Sequence, residues 1–122
     1  MPKSDKMTLA EEVRTYIEMH CDEDITLDGL CKQFFVGKSH LLHSFKRDEG
    51  TSPMRYLNSY RIEKAKELLL QSNLSIESIA LRLAFRDRFH FSSEFKRRIG
   101  IPPGEFRKNG IDIPQKAESK YL

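Results

Sequence analysis

The segment FKRDEGTSPMRYL, Phe45 to Leu57, returns fifty residues later as FKRRIGIPPGEFR, Phe95 to Arg107. Phe45, Lys46 and Arg47 recur as Phe95, Lys96 and Arg97, Gly50 as Gly100, Pro53 as Pro103, and Tyr56 as Phe106. A basic stretch, a glycine and a proline held in register mean a duplicated unit, and duplication sets the architecture before any single element is read. Upstream the register slips by one. Leu30–Cys31 match Ile79–Ala80 at an offset of 49, so the second copy has a turn one residue longer.

Apolar residues recur at helical spacing, and strand signals are nearly absent. Leu9, Val13, Ile17 and Cys21 predict a first helix over about Thr8 to His20. Thr26 is a natural N-cap, with Asp28 near the positive helix end. The helix it opens is expected to reach about Phe35 and to bury Leu27, Leu30, Cys31 and Phe34. Gly37 interrupts, Lys38 to Glu49 is helical, and Gly50 stops that helix. Ser52 followed by Pro53 starts the longest helix, to about Gln71, which would span about 28 Å. Ser75 caps a helix through Leu83, Arg88 to Ile99 forms the next one, and Pro103 opens a last short helix ending near Lys108. From Asn109 the chain reads as a polar tail.

The fold class is therefore all-α, with a first helix-turn-helix unit at 8–50, a connecting helix at 51–72, a second unit at 73–108 and a tail at 109–122. With 122 residues, the chain suits one domain or two very small ones. No apolar run approaches the length of a membrane span, and the start lacks signal-peptide character, so the cytoplasm is the expected compartment. Cys21 and Cys31 are too few for a disulfide framework and read as buried thiols. No metal-ligand spacing, phosphate loop or nucleophile–base pair stands out, so neither an enzyme nor a cofactor is expected.

The net charge of +3 conceals an asymmetry. Residues 11–35 carry seven acids and two bases, whereas residues 82–108 carry eight bases and three acids. The positive charge lies in the repeated segments, which points to a polyanion. In the later basic helix Phe91, Phe95 and Ile99 must face inward, leaving Arg88, Phe89, Ser92, Ser93 and Lys96 outside. In the earlier one Leu41 and Phe45 face inward, leaving Lys38, Ser39, Leu42, His43 and Lys46 outside. Short polar and basic groups around one apolar side chain can meet phosphates, base edges and a thymine methyl. Two such helices, held about 34 Å apart on one face, would reach successive major grooves.

The stretches FKRDEGTSPMRYLNSYRIEKAKELL and SIESIALRLAFRDRFHFSSEFKRRIGIPPGEFR resemble the DNA-binding domain of the AraC family of bacterial transcription regulators. The similarity covers about residues 8–108. Its most specific parts are R-I-x-x-A-x-x-L-L, from Arg61 to Leu69, and the ending F-K-x-x-x-G-x-x-P-x-x-[FY]-R. The resemblance implies seven helices, two homeodomain-like helix-turn-helix units joined by a long central helix, asymmetric promoter sites, and activation through RNA polymerase. Many members precede this domain with a ligand-binding or signal-receiving region; others consist of it alone.

Carried over by position, Ser39, Leu42, His43, Arg88, Phe89, Ser92 and Ser93 read bases. Lys38, Lys46, Lys96 and the helix start at Thr51–Ser52 bind phosphate. This sequence departs from the family at Ala84, where glycine is frequent, at Ser93, where arginine is frequent, and at Phe89 and Gly37, where serine is frequent. The expected partners are double-stranded DNA and RNA polymerase, with no membrane, and the DNA-binding region is expected to be monomeric on its own. The competing reading is a basic helical module that binds an acidic protein. Arg61, in line with Leu57, Ala65 and Leu68, is expected to serve structure rather than DNA reading.

Overall fold

The computed structural model describes residues 6–110, and the expected tail lies almost wholly outside them. Among the described residues there are seven helices and no strand. They divide into two compact units, one ending at Tyr60 and one beginning at Arg61, so the boundary falls inside the fourth helix.

The first unit contains α1 (Leu9–Met19), α2 (Leu27–Gln33), α3 (Lys38–Glu49) and the opening of α4 (Pro53–Gln71). Thr8 and Glu11 close a reciprocal capping box at the start of α1, satisfying two backbone donors. The Thr26 hydroxyl accepts from Gly29 N at 3.0 Å, and the Ser52 hydroxyl accepts from Arg55 N at 3.2 Å. Ala10, Val13, Ile17, Cys21, Leu30, Leu41, Phe45 and Leu57 form the core. At its edge Arg14 donates to Glu49 at 2.9 Å, and the Tyr56 hydroxyl donates to Glu18. Burial, then this bond, pushes the Tyr56 pKa well above the ordinary phenol value.

The second unit contains the rest of α4, α5 (Ile76–Arg82), α6 (Arg88–Ile99) and α7 (Pro103–Asn109). Ile62, Ala65, Leu69, Ile79 and Ala80 pack against a run of aromatic rings. Phe85, Phe91, Phe95 and Phe106 touch in sequence, with centroids 5.1, 5.8 and 5.3 Å apart. These tilted and edge-on contacts suit the ring quadrupole. Arg107 closes the end of α4 by donating to the carbonyls of Leu69 and Ser72, at 3.0 and 3.2 Å. Arg61 is 6% exposed, and its guanidinium lies 5.8 Å from the Phe85 ring centroid.

Three expectations need correction. α2 ends at Gln33 rather than near Phe35, because Phe35 takes a left-handed backbone with φ 56°. Cys31, Leu27 and Phe34 are half-buried, since a helix of two turns seats only Leu30 fully in the core. The tail does not begin at Asn109, which is the last residue of α7.

Both leading helices end in the same way. Phe35 N bonds to Lys32 O and Val36 N to Cys31 O; Ala84 N bonds to Leu81 O and Phe85 N to Ala80 O. This is the Schellman pattern, with a left-handed residue just past the helix. Glycine usually fills that place, yet here stand Phe35 and Ala84, at φ 56° and 63°. The extra residue of the second turn follows Ala84, so four residues (34–37) precede α3 and five (83–87) precede α6.

Candidate nucleic-acid interface

The core decides which side of each basic helix is free. In α3, Leu41, Ser44 and Phe45 are buried, which leaves Ser39, His43 and Lys46 exposed and Leu42 half-exposed. Ser39, Leu42, His43 and Lys46 line one shallow groove, together with Arg47. Arg47 was not among the sequence candidates. The recurrence of Arg47 as Arg97 was the available signal. Its Nε donates to Asp48 at 3.0 Å, and that bond holds the Asp48 carboxyl below the usual carboxylate range.

Lys38 is exposed and sits 3.5 Å from Asp28, an ion pair open to solvent that a phosphate could replace. Thr51 and Ser52 are half-buried at the start of α4, where the Ser52 hydroxyl is already engaged as a cap. The backbone at that helix start still presents the positive end of the dipole.

In α6, Phe91, Phe95 and Ile99 are buried, while Arg88, Phe89, Ser93 and Lys96 are exposed and Ser92 is half-buried. Phe89 stays 73% exposed rather than folding into the core. The Arg88 guanidinium lies over the Phe89 ring, 5.2 Å from its centroid. Asp87 caps the helix by accepting from His90 N at 2.8 Å. By contrast Gly37 gives α3 no side-chain cap. Toward the other end Arg97 bonds Glu94 at 2.7 Å, and Arg98 lies 3.6 Å away. Burial alone would raise the Glu94 pKa, but the hydrogen bond and charge of Arg97, with Arg98, leave it lowered.

Each unit thus sets a short helix and a left-handed turn before a helix with a polar, basic free face. That arrangement defines a helix-turn-helix DNA-binding protein with two such units in one chain. A helix-turn-helix domain family matches residues 30–109. The chain belongs to the AraC family of bacterial transcriptional regulators. It is 34% identical to the HTH-type transcriptional activator RhaS of Salmonella arizonae, over 85% of this chain and 37% of RhaS. It is 36% identical to the raffinose operon transcriptional regulatory protein RafR of Pediococcus pentosaceus, over 78% of this chain and 34% of RafR. The chain therefore spans about a third of these relatives' length. Among solved structures, the C-terminal domain of AraT, a response regulator from Geobacillus stearothermophilus, superposes with a TM-score of 0.81 at 32% identity. That match covers 84% of this chain and 86% of the other. Among the described residues no helix is long and apolar enough to cross a membrane.

Proposed function

We propose that this chain is the promoter-reading part of a transcriptional regulator, and that α3 and α6 enter successive major grooves of an asymmetric double-stranded site. Ser39, Leu42 and His43 read bases from α3, and Arg88, Phe89, Ser92 and Ser93 from α6. Lys38, Lys46, Lys96 and the start of α4 at Thr51–Ser52 hold phosphates. The observation that carries this reading is the free face of the two basic helices. Each combines lysine, serine and one apolar side chain outside a closed core. A face built only for solubility has no use for an exposed phenylalanine beside an arginine. The names of RhaS and RafR, an activator and an operon regulator, support action at promoters. RNA polymerase is the second partner that this reading assigns. The DNA-binding region acts as a monomer, since two reading helices in one chain replace the symmetric pair of a dimer.

The test is selection of duplexes from a random pool, followed by hydroxyl-radical footprinting on the enriched sequence. The expected pattern is two unlike protected patches, about one helical turn apart on one face. Failure to enrich any sequence over bulk DNA would sink the reading.

A further inference from the structure

We propose that Arg88 and Phe89 act as one reading unit, which recognises a guanine and the C5-methyl group of a thymine on the adjacent base pair. The inference rests on α6 being a recognition helix. Both residues belong to the first turn of α6, the end that approaches base edges in this motif. The ring is mostly exposed, although Phe85, Phe91 and Phe95 nearby are buried. A ring covering one face of a guanidinium leaves its edge, where the N–H donors point, open to an acceptor. Among the described residues the ion pairs of this stretch are made by neighbours: Arg86 with Asp87 at 3.8 Å, and Arg97 and Arg98 with Glu94. Arg88 meets the aromatic ring instead.

Chemistry then selects the ligand. A planar fork pairs with O6 and N7 of guanine in the major groove. The ring beside it would strip water from any polar base edge without replacing the lost hydrogen bonds. Thymine alone presents a methyl group there. Separation fixes the spacing. The guanidinium and the ring are in direct contact, 5.2 Å from its carbon to the ring centroid, so no base-pair edge fits between them and the pairs they touch are neighbours in the stack, about 3.4 Å apart. The unit therefore reads a thymine–guanine step.

The probe is the duplex enriched from the random pool, carrying deoxyuridine in place of each thymine in turn, or 7-deazaguanine in place of each guanine. Affinity is read by fluorescence anisotropy for the natural chain, Phe89→Ala and Arg88→Ala. One uracil substitution should weaken the natural chain by about fourfold, the worth of one methyl's burial, and have no effect on Phe89→Ala. The 7-deazaguanine position silenced by Arg88→Ala should be its immediate neighbour. Phe89→Leu, which keeps an apolar body without a ring, should retain the uracil effect but weaken the guanine discrimination. If an enriched site exists and every uracil effect persists in Phe89→Ala, the methyl assignment is overturned while the DNA-reading role stands. If the two sensitive positions are not adjacent, the single-unit reading fails. If no sequence is enriched, both fall.

Discussion

Ala84 and Phe35 hold left-handed backbone that an L residue enters at a cost of about 1 kcal/mol or more. Glycine carries no such cost but loses more freedom on folding, which offsets part of the gain. Ala84→Gly should still stabilise the second unit by roughly 0.5 kcal/mol. Its thermal midpoint should rise by about 2 °C, measured by circular dichroism. An unchanged or lower midpoint would mean that the Ala84 methyl packs well enough to offset the strain. Arg61 makes the opposite case. A guanidinium this buried is retained for its partners and packing, so Arg61→Ala should cost about 2 kcal/mol in denaturant unfolding. DNA affinity, measured well below the melting range, should hardly change. Unchanged stability with lost affinity would reverse the assignment.

α3 and α6 are the same element with different beginnings. Asp87 bonds the first turn of α6, and Gly37 leaves that of α3 without a side-chain partner. Asp87→Ala should cost about 1 kcal/mol and loosen the turn that carries Arg88 and Phe89. Amide exchange near Phe89 should speed up, while that at Phe95 should not. In α3, Gly37→Ser should gain only a few tenths of a kcal/mol, because glycine is already a fair N-cap. A Cβ at Gly37 meets nothing within 4 Å, so the added side chain has room. The boundaries of α3, α4 and α6 were legible because Gly50, Ser52–Pro53 and Gly100 punctuate them. The end of α2 was not, because its left-handed stop is a phenylalanine and carries no such mark. The face of α6 was readable from Phe91, Phe95 and Ile99 alone. The contact of Arg88 with Phe89 was not, since adjacent helical residues point about 100° apart and only rotamers bring them together. Arg47 escaped for a related reason. Its place in the groove beside Ser39, Leu42, His43 and Lys46 is a matter of side-chain conformation, which helical spacing does not give.

For the molecule as a whole, the proposed reading divides the labour of binding between charge and chemistry. Lys46 and Lys96 recur at equivalent places near the ends of their helices, exposed, as point charges suited to phosphate. Replacing either by alanine should weaken every duplex similarly and reduce the salt slope by about one unit. Arg88→Ala should cost about 1–3 kcal/mol on the preferred site and much less on random DNA. Salt titrations on both kinds of duplex separate these outcomes. Equal losses for Arg88→Ala would assign it to phosphate and move specificity to Phe89, Ser92 and α3. The two cores bear on this division. Leu57 belongs to one and Ile62, Ala65 and Leu69 to the other, although all four lie on α4. Among the described residues no core residue belongs to both. On the proposed reading, each recognition helix is therefore seated on a core of its own. On that reading the two halves of the proposed operator are free to drift separately over generations: a regulator built this way can acquire a new word at one end of its site while still spelling the old one at the other.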